Sequence, residues 1–220
     1  DSCNLSTKGG TPIIRFAQNL RLRSVAVMFL SALSVILAAG PSAAFTFTTI
    51  DVPGASATQA WGINKPGQIV GDFVDNTGTH GFLRDLDGSF TTIDVPGASA
   101  TRPRSINRVG QIVGDFTDAN GDHGFLRDVN GVFTTIDIPD GYGTSARGIN
   151  KAGKIVGFYH VGSTIRGFLR ARDGSITRID VPGVLRTQPS AISGKRIAGS
   201  FHDPRGDHGF MLKNGVLTTI

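Results

Sequence analysis

The chain has 220 residues, which is enough for one ordinary domain or for an array of repeats. Its 30 glycines and 10 prolines favour an architecture of many tight turns. A hydrophobic content of 39% with a mean hydropathy of +0.01 argues against disorder and against several membrane spans. The net charge is +5, but +3 of it lies in the first 44 residues, and the remaining +2 is too weak to indicate nucleic-acid binding. Because Cys3 is the only cysteine, an intrachain disulfide and a Cys-ligated metal site are excluded.

The N-terminal region has the order of a secretory signal. Two basic residues, Arg21 and Arg23, precede an apolar run over 25–39, and small residues follow up to Ala44. The alternative is a membrane anchor, but this run is shorter than the ~20 residues that span a bilayer. We therefore predict an unstructured upstream segment at 1–20, a signal peptide at 21–44 cleaved before Phe45, and a secreted or periplasmic chain without membrane insertion after cleavage.

From residue 45 onward the sequence repeats. The motif Ile-Asp-(Val/Ile)-Pro recurs every 43 residues, beginning at Ile50, Ile93, Ile136 and Ile179. Each unit contains four short runs of strand length, separated by turn residues such as Asp87-Gly88, which is a strong hairpin signal. A glycine recurs inside the second run, where close backbone approach or a bulge is expected. The units are predicted at about 60–94, 103–137, 146–180 and 189–220.

One four-stranded sheet cannot cover its own apolar faces, so successive units are expected to stack. The predicted fold is all-β, a β-propeller-type array of four four-stranded antiparallel blades that is open or incomplete. A β-solenoid fits less well, because its parallel strands need no hairpins. The segment 45–50 is predicted to form a seventeenth strand, and the sequence stops before another Asp-x-Pro-Gly. We therefore expect the natural protein to continue beyond Ile220.

The repeat resembles the bacterial extracellular HAF family, named for its His-Ala-Phe signature. The resemblance covers 45–220 and is carried by the segments Gly62-Ile63-Asn64, Gln68 to Gly71, His80 to Leu83 and Phe90 to Asp94. The middle alanine of the signature is glycine in every copy, and Arg166 replaces the histidine in the third unit. The resemblance implies export and a propeller-like repeat fold, and it implies no reaction.

The pattern of the recurring polar residues indicates structural roles for them rather than metal binding or catalysis. His80, His123 and His208 occur once per unit, too far apart to share a metal, and are expected to have packing or hydrogen-bonding roles. A calcium loop at Asp118, Asn120 and Asp122 lacks the required glycine and distant glutamate. Asp72 and Asp115 are expected to be solvated or to bond to turns. We therefore expect no catalytic residues, no metal, no cofactor and no enzymatic activity.

The first strands of the four units differ from one another in sequence, at positions where propellers usually present residues to ligands. Trp61, Arg102, Arg104 and Arg147 are the candidate binding residues, because tryptophan and arginine can hold a carboxylate or a glycan by stacking and bidentate hydrogen bonds. The alternative is drift at solvated loop positions. The predicted function is a binding scaffold at the cell envelope or outside it, with an acidic glycan or another envelope protein as partner. A secreted polysaccharide lyase or hydrolase and a self-assembling surface protein remain open.

Overall fold

The computed structural model describes residues 45–220, which contain sixteen β-strands and no helix. The all-β prediction is therefore confirmed for this part of the chain. Since residues 45–220 form no helix, none of them belongs to a helix long and apolar enough to cross a membrane. The predicted upstream segment and signal peptide lie outside the described residues.

The strands form four repeat units of four strands, numbered in chain order. The first strands are β1 (Ala57–Ile63), β5 (Ala100–Ile106), β9 (Tyr142–Ile149) and β13 (Arg186–Ser193). The second strands are β2 (Ile69–Val74), β6 (Ile112–Asp118), β10 (Ile155–Val161) and β14 (Arg196–Asp203). The third strands are β3 (Thr79–Arg84), β7 (Gly121–Arg127), β11 (Thr164–Arg170) and β15 (Gly206–Lys213). The fourth strands are β4 (Phe90–Ile93), β8 (Phe133–Ile136), β12 (Ile176–Ile179) and β16 (Val216–Thr219).

Hydrogen bonding joins the units in pairs. Within each unit the four strands pair antiparallel in sequence order. One parallel pairing, Thr79 with Ala100, connects unit 1 to unit 2, and another, Ile165 with Arg186, connects unit 3 to unit 4. The result is two mixed sheets of eight strands, rather than the four separate sheets that the hairpin pattern predicts. A hairpin signal describes only neighbouring strands, so it does not predict these bridges.

The hydrophobic cores lie between successive units. Val70 and Ile93 of unit 1 pack with Ile106, Ile112 and Phe125 of unit 2 in one buried cluster. Two further clusters join unit 2 to unit 3 and unit 3 to unit 4 in the same way. Each unit therefore covers the apolar face of the next, as the repeat predicts.

The same positions are exposed where no further described unit covers them. Ile106 is 6% exposed, whereas its equivalent in unit 1, Ile63, is 67% exposed. Likewise Ile93 is 1% exposed and its equivalent in unit 4, Ile220, is 83% exposed. Burial of these positions thus comes from stacking between units and not from the sheet of each unit alone.

A ladder of asparagine side chains also connects the units. The Nδ2 of Asn64 donates to the carbonyl of Asn107 (3.3 Å), and the Nδ2 of Asn107 donates to the carbonyl of Asn150 (3.1 Å). Asn150 continues the ladder to the carbonyl of Gly194 at 3.1 Å. Because all three side chains are buried, these bonds replace lost hydration and fix the spacing between units.

Two of the recurring histidines connect the third strand of their unit to the segment after the fourth. His80 contacts Asp94, and His123 contacts Asp137, each through Nδ1 at 2.9 Å. The imidazole of His123 also stacks on Phe116, with ring centroids 5.2 Å apart. In unit 3 the pair is replaced by Arg166 and Asp180 at 3.7 Å. These contacts are structural, as expected for the histidines.

Candidate ligand-binding site

Each first strand carries a β-bulge at the same position. In β5, Pro103 pairs with Gly114 and Ser105 pairs with Val113, so Arg104 has no partner in the ladder. The equivalent register shifts leave out Trp61 in β1, Arg147 in β9 and Ser190 in β13. A bulge re-aims a side chain that regular alternation would direct elsewhere. The four repeat units thus present four different side chains at one structurally equivalent position.

The glycine inside each second strand makes room for the bulge. A Cβ atom at Gly157 would lie 2.0 Å from the carbonyl oxygen of Ser145, and one at Gly71 would lie 1.9 Å from that of Gln59. Gly114 and Gly199 have the same close approach, at 2.1 and 2.3 Å. No larger residue fits at these positions without moving the backbone. The close approach predicted from the mid-strand glycines is therefore confirmed.

Two of the bulge residues bond to a carboxylate on the second strand of their own unit. The indole Nε1 of Trp61 donates to Asp72 Oδ1. The Nε of Arg104 donates to Asp115 Oδ1 at 3.0 Å, and Ser145 Oγ donates to the same oxygen at 2.9 Å. The expectation that Asp72 and Asp115 are solvated or bonded to turns is wrong, because the bulges bring these donors over them.

Arg147 differs from the other bulge residues. Position 158, which is equivalent to Asp72 and Asp115, is a phenylalanine, and the Arg147 guanidinium lies 5.0 Å from the centre of that ring. Among the described residues Arg147 has no ion pair within 4.0 Å, and its buried Nε makes no hydrogen bond. Burial lowers the pKa of Arg147, while Asp115 opposes this shift and Arg104 adds to it. The guanidinium nevertheless stays charged, because arginine is protonated in proteins.

The four bulge residues line one cavity, which we call the axial cavity. It has a volume of about 400 Å³ and is bounded by the first strands of all four units. Arg104 and Arg147 are its charged residues, and no acidic side chain lines it. The guanidinium of Arg104 lies over the indole of Trp61, 4.7 Å from the ring centre. The axial cavity therefore combines two cations with an aromatic surface.

A second, larger cavity lies between units 2 and 3, where the two sheets are not bridged. This inter-unit cavity has a volume of about 820 Å³ and shares Arg104 and Arg147 with the axial cavity. Arg102, which donates to Thr117 Oγ1 at 3.2 Å, lines the inter-unit cavity only. Tyr142, Asp122 and Asp137 also line this cavity.

The structure thus brings the predicted binding residues together. Trp61, Arg104 and Arg147 meet in the axial cavity, and Arg102 lies in the adjoining one. The differences between units at Phe158 and Ser190 are visible in the sequence, whereas Tyr142 was missed, although comparison of equivalent positions between units could have found it. In the part of the chain that the structure describes, no three His, Cys, Asp or Glu residues are placed to hold a metal ion.

Comparison with known proteins identifies the fold. No protein-family profile and no curated protein sequence match the chain. A structure of TolB from Acinetobacter baumannii is similar with a TM-score of 0.58 and 19% identity, over 74% of this chain and 43% of that protein. A streptogramin B lyase structure is 19% identical with a TM-score of 0.48, over 77% of this chain and 56% of the lyase. The chain spans about half the length of these proteins, which are propeller-like.

The same comparison corrects one prediction. A structure of catalytically inactive virginiamycin B lyase from Staphylococcus aureus with quinupristin is also similar, at 19% identity and a TM-score of 0.47. Because enzymes occur among the similar structures, the expectation of no enzymatic activity is wrong as an inference from the repeat pattern. The physical reason is that a repeat array can assemble a site from different units without any local catalytic motif. The likeness itself shows only the fold.

Proposed function

We propose that the chain is an exported propeller-type repeat protein, each unit one blade, that binds a carboxylate-bearing ligand in the axial cavity. This proposal rests on the surroundings of the Arg147 guanidinium. Its charge is partly removed from water, it faces a second cation at Arg104, and it has no ion pair of its own. An anion bound here would give Arg147 the ion pair that it lacks and would lie beside the guanidinium of Arg104.

The neighbouring bulges support the same conclusion. Asp115 already bonds to Arg104, so the cavity is organised before any ligand arrives. The planar fork of arginine matches the geometry of a carboxylate, and hydrogen bonds to charged groups are stronger than neutral ones. Trp61, 49% exposed, adds an apolar surface beside the two cations. An acidic glycan and an envelope protein with exposed carboxylates are the ligands that we propose on these grounds.

The setting of this function is also part of the proposal. The order of residues in 21–44 supports export, and the repeat motifs support membership in the HAF-type repeats. We place the protein in the periplasm or outside the cell.

The test is calorimetric titration of the full chain with trigalacturonate. Arg147→Met retains the contact with Phe158 and removes the charge, so we expect binding to weaken by about tenfold or more. The matched control is Arg170→Met, which removes an arginine of the same unit outside both cavities. Equal affinity of the two variants for trigalacturonate would overturn the proposal.

A further inference from the structure

We infer that the inter-unit cavity is a saccharide subsite, in which Tyr142 stacks against a sugar ring while a carboxylate of the same ligand binds at Arg147. This inference rests on the proposed function and adds the class of ligand. The two cavities share Arg104 and Arg147, so one elongated molecule can occupy both.

Tyr142 is a preorganised aromatic platform. It is 59% exposed, yet its ring is held by two contacts. The ring stacks on His160 with centroids 5.4 Å apart and an interplanar angle of 25°, and the hydroxyl donates to the carbonyl of Gly162 at 2.9 Å. A large exposed aromatic side chain that is fixed in advance costs little entropy when a ligand stacks on it.

The platform belongs to unit 3 alone. The equivalent positions in units 2 and 4 are Ser99 and Leu185. The loop that leads to Tyr142 is also distinct: Asp140 has a φ of 65°, and a Cβ atom at Gly141 would lie 2.3 Å from the ring of Tyr159. Between units 2 and 3 no bridging strand pair forms, and the inter-unit cavity lies at this junction.

The polar groups of the wall define the ligand chemistry. Asp122 and Asp137 are acceptors only when ionised, so they select hydroxyl donors on the ligand. Arg102 and Arg147 are donors only, so they select acceptors and anions. Tyr142 selects an apolar ring face. A sugar acid offers hydroxyl groups, a carboxylate and an apolar C–H face in one molecule.

Simpler ligands match only part of this wall. A compact anion such as phosphate would bind the arginines, but it would offer no hydroxyl donors to Asp122 and Asp137 beyond its own proton and would leave Tyr142 uncovered. A purely apolar ligand would remove the charged groups from water without pairing them, which is unfavourable. An oligosaccharide of uronic acids satisfies all three kinds of group.

The experiment titrates the full chain with trigalacturonate, with neutral galactotriose and with citrate, which has carboxylates but no ring. For Tyr142→Ala we expect trigalacturonate binding to weaken about tenfold and citrate binding to stay as in the wild type. Tyr142→Phe keeps the ring and is expected to bind trigalacturonate within about twofold of the wild type. The control is Leu185→Ala, which shortens the exposed residue at the equivalent position of unit 4. We expect it to change neither ligand's affinity, and galactotriose to bind more weakly than trigalacturonate.

The possible failures are distinguishable. Unchanged trigalacturonate binding in Tyr142→Ala overturns the subsite and leaves the carboxylate site intact. Loss of citrate binding in Tyr142→Ala, or an equal loss in Tyr142→Phe, assigns Tyr142 a structural role and also overturns the subsite. If the wild type binds neither trigalacturonate nor citrate, both this inference and the proposed function are wrong.

Discussion

Asn107 donates its side-chain amide to the carbonyl of Asn150 at 3.1 Å, and the two residues are 43 positions apart in the chain. The Oδ1 of Asn107 meanwhile accepts from the N–H groups of Val109 and Gln111 in its own turn. One buried side chain therefore closes a hairpin and sets the distance to the next unit. Unit 4 has Ser193 at the equivalent position, in a shorter turn.

Replacing this asparagine should destabilise the whole array. For Asn107→Ala we expect the free energy of unfolding to fall by about 3 kcal/mol, because buried backbone groups lose their partners. Asn107→Asp retains the acceptor but sets a buried carboxylate oxygen against the carbonyl of Asn150, so it should be at least as destabilising as alanine. Urea denaturation of both variants and of Asn130→Ala, an exposed turn residue, measures the effect. An Asn107→Ala variant as stable as Asn130→Ala would contradict the role of the ladder.

The bulges depend on glycine in the second strand. Gly157→Ala would force a Cβ against the carbonyl of Ser145, so we expect a loss of about 3 kcal/mol in the free energy of unfolding. Gly209→Ala is the matched control, since its Cβ would lie 3.7 Å from the nearest atom, on Ile220. The control should cost less than about 1 kcal/mol. Similar losses for both, measured by urea denaturation, would show that close approach is not what requires glycine at position 157.

Replacing one or the other arginine of the axial cavity should have opposite effects on the free energy of unfolding of the ligand-free protein. Arg147→Met removes a partly buried charge that has no ion pair, and should leave the free energy of unfolding unchanged or raise it by about 0.5–1 kcal/mol. Arg104→Met removes the closer of the two arginines that pair with Asp115, leaving Arg102 at 3.7 Å, and should lower the free energy of unfolding by about 1–2 kcal/mol. Thermal unfolding in ligand-free buffer compares them. Equal destabilisation by both substitutions would argue against Arg147 being held ready for a ligand.

His123 should make stability depend on pH. The hydrogen bond to Asp137 raises the pKa of His123 above its usual 6.5, against the opposing effect of burial, and Asp118 adds to the rise. Because the folded-state pKa is the higher one, this contribution to stability is complete below pH 6.5 and is lost as the pH rises through the folded value.

The third unit supplies the control for that dependence. It has Arg166 in place of the histidine, and arginine does not titrate in this range. His123→Arg should therefore lose the part of the pH dependence that belongs to His123. Urea midpoints between pH 6 and pH 9 compare the two proteins. Identical pH profiles would show that another group is responsible.

The sequence predicts the repeat and its turns well because both are local. Asp87-Gly88 and its equivalents form the expected turns, and Gly88 has the positive φ of 89° that favours glycine. The difference between units at Trp61, Arg104 and Arg147 was also visible, since a repeat supplies its own internal comparison. These three residues converge because they occupy one equivalent position in successive units that stack on one another.

The rest depends on geometry between units. Whether Thr79 pairs with Ala100 is decided by how two units stack, and a hairpin pattern contains no information on stacking. The partner of Asp115 could not be predicted either, because the bulge at Arg104 shifts the register by one residue. That Tyr142 lines a cavity could not be predicted, because the cavity lies between units 2 and 3, where the bridging strand pair is absent.

The bulges direct Arg104 and Arg147 into one cavity, where we propose that they bind an anion as a pair. The most direct measurement follows the Nε–Hε resonances of the arginines by NMR during titration of the full chain with trigalacturonate. We predict that the Arg147 and Arg104 signals shift together and saturate, while that of Arg170 does not move. Saturable binding that leaves the Arg147 resonance unchanged would contradict the account.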